Sequence, residues 1–130
     1  MSDRTAMIVE DDVVLAEGLR AALVEAGFEP GEPCRDYAEA LAAVERRAPS
    51  YCVLDLDLGG NAAMTRAHNT DEGRRLFWLL QSRGTRTVIH SGHRADLERP
   101  DLSPTRWRIV AKPAPADRVI AALRDMDGGG

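Results

Sequence analysis

The sequence predicts an α/β protein, a three-layer α/β/α sandwich built on a five-stranded parallel sheet. Three observations carry that reading. Short apolar or β-branched runs alternate with stretches of helical periodicity along the chain. One run, Tyr51–Leu54, is apolar at every position, as suits a strand covered on both faces in the middle of a parallel sheet. Glu10, Asp11, Asp55, Ser91 and Lys112 each stand where a predicted strand ends, which is where open parallel sheets gather their ligands.

Length and composition set the bounds. At 130 residues the chain reads as one domain, 1–130, large enough for a full core. Apolar residues at 44% and charged residues at 29% describe an ordinary globular chain. A net charge of −4 gives no broad basic face, so no nucleic-acid partner is expected. Cys34 and Cys52 have no metal-ligand spacing, and Cys52, inside the buried run, reads as a small core residue. With no signal peptide and no apolar run of membrane length, a cytoplasmic chain without a membrane partner is expected.

In chain order, Thr5–Val9 is a short strand that runs straight into Glu10, Asp11 and Asp12. A helix follows, with Leu15, Leu19, Ala22, Leu23 and Ala26 on one face and Gly27 as its stop. Carboxylates favour a helix start, which explains Asp12 better than Glu10, since Glu10 directly follows the strand. Phe28–Cys34 holds the second strand. Its Pro30 and Pro33 lack a ladder donor, so that strand lies at an edge and is short or irregular. Asp36 then caps a helix carrying Tyr37, Leu41 and Val44, closed by Pro49.

After the central strand, residues 59–70 show no periodicity and read as an extended polar loop, with His68 a solvated side chain. Asp71–Arg83 is the third helix, with Leu76, Leu79 and Leu80 as its buried stripe and Gly84 at its end. Thr87–Ile89 begins the fourth strand, which closes on His90, Ser91 and Gly92. Pro100 and Pro104 interrupt the next segment, so the fourth helix is irregular. Arg108–Ala111 is the fifth strand. Ala116, Val119, Ile120 and Leu123 mark the last helix, with Pro115 suited to its first turn. Residues 127–130 read as a flexible tail, leaving no room for an output domain.

The chemistry centres on Asp55. A carboxylate where a buried strand meets its loop is costly unless something nearby needs it. Acids at two other positions, one lysine and one hydroxyl stand at the ends of neighbouring strands. Taken singly, Lys112 also reads as a surface lysine and Ser91 as a turn residue.

As a set, these residues resemble the receiver domain of two-component response regulators, over nearly the whole chain from Thr5 to Met126. IVEDD at Ile8–Asp12 is similar to the acidic pair after the first strand, and VLDLDLGG at Val53–Gly60 to the phosphoacceptor strand. HSG at His90–Gly92 resembles the hydroxyl position, and AKPA at Ala111–Ala114 the lysine-proline turn. The resemblance implies a flavodoxin-like strand order of 2-1-3-4-5 and a cis bond at Lys112–Pro113. It implies Asp55 as a phosphoacceptor that forms an aspartyl-phosphate, with Ser91 and Lys112 on the phosphoryl oxygens. It implies Mg²⁺ held by Glu10, Asp11, Asp55 and the main-chain carbonyl of Asp57. Asp57 and His93, two residues past the acceptor and the hydroxyl, are expected to tune dephosphorylation.

The implied function is a stand-alone receiver that is no enzyme beyond its own phosphoryl transfer and dephosphorylation. It would be phosphorylated by a histidine kinase or phosphotransfer protein and signal by docking to a downstream protein, as a monomer or weak homodimer. The sequence departs from the family at the aromatic switch position, where Ile109 stands three residues before the lysine, with Trp107 on the same side of the strand. Its loop after Asp57 is longer, and the surface near the fourth helix is remodelled. The pattern is closest to a subgroup of stand-alone and stress-response regulators. Two alternatives remain: a pseudo-receiver that is never phosphorylated, and a small haloacid-dehalogenase-like phosphatase using Asp55 as nucleophile and Asp57 as acid.

Overall fold

The structure is a computed structural model that describes residues 4–55, 73–91 and 107–128, apart from the side chains of 91, 127 and 128. Its strands are β1 (Thr5–Val9), β2 (Glu29–Pro30), β3 (Tyr51–Leu54), β4 (Arg86–Ser91) and β5 (Trp107–Ala111). Its helices are α1 (Val13–Glu25), α2 (Tyr37–Arg46), α3 (residues 73–82) and α4 (Ala116–Gly128). All four strand pairings are parallel, in the order β2-β1-β3-β4-β5. This is the sheet and the order expected.

Side-chain alternation along the central strands builds two cores. Cys52 and Leu54 face one way with Met7, Val9 and Ile89, and meet Tyr37, Ala40 and Val44 of α2 and Leu76, Phe77 and Leu80 of α3. Tyr51 and Val53 face the other way with Ala6, Ile8 and Val88, and meet α1 through Leu19 and Leu23 and α4 through Val119 and Leu123. Hence β3 is buried at all four positions, and the apolar run is explained by helices on both sides of it.

The helix ends follow local chemistry. The Asp12 side chain accepts a hydrogen bond from Leu15 N at 3.1 Å, and Asp36 accepts one from Glu39 N at 2.8 Å, so both act as N-caps. Gly27 and Gly84 hold φ of 94° and 77°, left-handed conformations in which glycine carries no Cβ penalty. The stop signals at both positions are real.

The second strand is shorter than the stretch assigned to it. Only Glu29–Pro30 pairs as a strand, and contact resumes at an isolated bridge between Val9 and Cys34. Pro30 cannot donate to the ladder. Cys34 N–H restores pairing by donating to Ile8 O at 2.8 Å. The short edge strand is therefore as the prolines require.

Several bounds differ from the sequence reading. In α3, Phe77 is buried and Leu79 only partly so, which turns the stripe slightly from its expected centre. β5 begins one residue early, at Trp107, whose ring meets Phe77 edge-on at 6.0 Å. α4 continues to Gly128, so Asp127 and Gly128 of the expected tail are helical. The 59–70 loop, His68 and the irregular fourth helix lie outside the described residues.

Candidate functional site

Strand register brings the polar residues to one edge. β1 and β3 pair with Val9 opposite Leu54 as their last rung, so Glu10 and Asp55 leave the sheet side by side. Asp55 N–H still donates to Val9 O at 3.0 Å, which ties the two strand ends together. On the far side of β4, Ser91 pairs with Ala111, so the next residue on β5's side is Lys112. The site is a consequence of which residues end the strands.

Both central carboxylates are buried: Glu10 is 3% exposed and Asp55 2%. Lys112 Nζ lies 3.1 Å from Glu10 Oε1 and 3.2 Å from Asp55 Oδ2, an ammonium bridging two acids from different strands. Burial works against the lysine charge, but Asp55 and Glu10 outweigh it and hold the ammonium above its ordinary pKa. The second oxygen of Glu10, Oε2, accepts from Asp12 N at 3.2 Å, which ties the start of α1 to the site.

Carboxylate oxygens of Glu10, Asp11 and Asp55 lie within 4.8 Å of one another. Two of these groups are buried and Asp11 is exposed toward solvent. An all-oxygen donor set of this kind fits a hard divalent cation such as Mg²⁺, which takes one or two carboxylates and keeps several waters. The three expected metal-binding side chains therefore converge. The Lys112–Pro113 bond is cis.

Ser91 ends β4 beside the turn that carries Lys112, but its side chain lies outside the described residues. So do Asp57, with its main-chain carbonyl, and His93. Trp107 and Ile109 both pack against the core on the α2–α3 side, as strand alternation predicts.

Two residues near the site were not singled out from the sequence. The Tyr37 hydroxyl donates to the main-chain carbonyl of Asp55 at 2.8 Å, in a buried setting. Helical spacing places Tyr37 only on an apolar stripe with Leu41 and Val44. The available signal was its hydroxyl, which needs a partner wherever the ring is buried. His90 is 1% exposed, and neither ring nitrogen has a hydrogen-bond partner among the described residues. Burial, and then the nearby Lys112 charge, lower its pKa against a smaller opposing pull from Glu10. In the sequence, its spacing of two from the apolar Val88 puts both on one face of the strand.

No family model matches the chain. It is 29% identical over 129 residues to the acid tolerance regulatory protein ActR of Sinorhizobium medicae (strain WSM419), a match covering 97% of this chain. The chain spans 61% of the length of that relative. Among solved structures it resembles a CheY-like response regulator receiver domain from Methylobacillus flagellatus, with a TM-score of 0.71 and 22% identity over 96% of this chain and 99% of that one. It also resembles the receiver domain of the PhyR response regulator from Erythrobacter litoralis, with a TM-score of 0.71 and 14% identity over 98% of this chain and 92% of that one.

Proposed function

We propose that this chain, whose fold is that of the response-regulator receiver domains, takes a phosphoryl group on Asp55 and relays a signal through the phosphorylated form. The observation that carries the proposal is the convergence of Lys112 on the buried carboxylates of Glu10 and Asp55, from strands far apart in sequence. A carboxylate held beside an ammonium and two further acids is suited to attack phosphorus. The new bond joins an Asp55 carboxylate oxygen to phosphorus, while the bond from phosphorus to the donor's nitrogen or oxygen breaks and its electron pair leaves with the donor.

The chain's own residues would divide the work. Asp55 is the nucleophile, its Oδ2 3.2 Å from the Lys112 ammonium. Lys112 has three N–H donors, and its contacts to Glu10 and Asp55 leave it able to turn one toward a phosphoryl oxygen. Ser91, at the end of β4, would donate to another. Glu10, Asp11 and Asp55 would hold Mg²⁺, with the Asp57 carbonyl as the resemblance implies; when bound, the ion neutralises charge on the incoming phosphoryl group. Asp57 and His93 would set the rate at which water removes the group.

The donor is read as a histidine kinase or phosphotransfer protein, and the output as docking to a downstream protein by a monomer or weak homodimer. The chain would catalyse only its own phosphoryl transfer and dephosphorylation. Among the described residues no helix is long and apolar enough to cross a membrane.

Incubation with acetyl phosphate and Mg²⁺, followed by intact mass measurement, tests this reading. One phosphoryl group is expected on the wild type and none on Asp55→Asn. An unchanged mass would point to a pseudo-receiver, and steady phosphate release from simple esters to a hydrolase; either result sinks the proposal.

A further inference from the structure

We infer that Tyr37 is a positioning residue for the acceptor, acting through the hydrogen bond from its hydroxyl to the Asp55 main-chain carbonyl; this rests on the reading of Asp55 as the phosphoacceptor. Asp55 sits one residue beyond the last rung of β3. Its N–H is held by Val9 O at 3.0 Å and its carbonyl by Tyr37 at 2.8 Å. The peptide group leading into the acceptor is thus held from β1, and the one leading out of it from α2. Holding both peptides sets the direction in which the Asp55 Cα–Cβ bond leaves the backbone, and the Lys112 ammonium at 3.2 Å then meets the carboxylate that it carries.

The tyrosine is itself well held. It is 2% exposed, at the first residue of α2, directly after the N-cap Asp36. Ala40 and Val44 lie on the same buried stripe and are fully enclosed. Apart from its hydroxyl, the ring packs in an apolar cluster that a phenylalanine would fill equally well. A polar tip in such a cluster is unfavourable unless it is used. The bond it makes, across 18 residues of sequence, reaches the one backbone carbonyl that belongs to the acceptor. Sites that do chemistry need their first contacts held by a rigid supporting shell, and Tyr37 supplies that support from the helix beneath.

The test compares Mg²⁺ affinity, measured by calorimetry on the full chain, in wild type, Tyr37→Phe and Val44→Ala. Val44→Ala weakens the same helix packing without touching the hydroxyl, so it reports what lost stability alone does. Tyr37→Phe is expected to weaken Mg²⁺ binding by about 3- to 10-fold, with a similar fall in the acetyl phosphate labelling rate at saturating Mg²⁺. Val44→Ala should keep wild-type affinity although it unfolds at lower urea. Equal affinities in wild type and Tyr37→Phe, or matching losses in the two variants, would make the hydroxyl merely structural and overturn the inference. A wild type that binds no Mg²⁺ would overturn the functional reading itself, and the positioning role with it.

Discussion

Lys112 and Glu10, 102 positions apart, meet with Nζ 3.1 Å from Oε1. Glu10 is 2% exposed at its side chain and Lys112 24%, so the pair is poorly screened by water. Removing the cation leaves Glu10 and Asp55 as neighbouring buried acids with no ammonium between them. Lys112→Met should therefore destabilise the metal-free protein by about 2–3 kcal/mol, less than for a fully buried pair because the lysine stem reaches solvent. Urea unfolding in the presence of a chelator measures it. Adding Glu10→Gln to that variant should recover part of the loss, and a double-mutant cycle with no coupling would show that the pair contributes nothing.

A divalent cation would sit among the carboxylates of Glu10, Asp11 and Asp55. A ligand that binds only the folded state stabilises it by mass action, about 2.7 kcal/mol at a hundredfold excess over its Kd. For a domain of this size, Mg²⁺ at such an excess should raise Tm on the order of 10 °C, and chelation should reverse it. Asp11→Asn and Asp55→Asn should each shrink the shift, since each removes one of three carboxylates that lie within 4.8 Å of one another. An equal shift in Asp55→Asn would move the cation elsewhere.

The sheet and the acidic centre were legible because both are written in local patterns. YCVL at Tyr51–Leu54 suits a strand covered on both faces, and one register then delivers Glu10 beside Asp55. Lys112 was legible as a strand-end residue, although its distance to both acids is a fact of tertiary geometry. Tyr37 and His90 were not legible as part of the site. Each lies on a periodicity that reads as core, and periodicity records which face a residue takes, not what its polar atoms meet there. β2 shows the opposite case: Pro30 and Pro33 correctly demoted the strand, but nothing in Phe28–Cys34 says that pairing resumes at Cys34 through a single bridge.

Asp36 holds the start of the helix that carries Tyr37, accepting from Glu39 N at 2.8 Å. Asp36→Ala should cost about 1 kcal/mol of stability, while Asp36→Ser or Asp36→Asn should keep most of it, since both side chains can still accept that bond. Urea midpoints for the three variants give the comparison. If serine were as damaging as alanine, the carboxylate would matter for charge at the helix start and not for capping.

His90 gives the fold an acid-sensitive core position. Its side chain is enclosed at the end of β4 with both ring nitrogens unpartnered among the described residues. Burial and the Lys112 charge lower its pKa from 6.5, against a smaller pull from Glu10. A histidine whose pKa is lower in the folded than in the unfolded chain binds its proton more readily when unfolded. Its contribution is therefore present in full above the unfolded value and is lost as pH falls from there toward the folded value. Wild type and His90→Val should then differ by one amount at about pH 8 and by a different amount at about pH 5, with acid favouring the variant. Taking the difference cancels the other histidines, His68 and His93, which both chains share. Urea unfolding at the two pH values decides it: a gap that stays constant would mean that His90 keeps its ordinary affinity for protons inside the core.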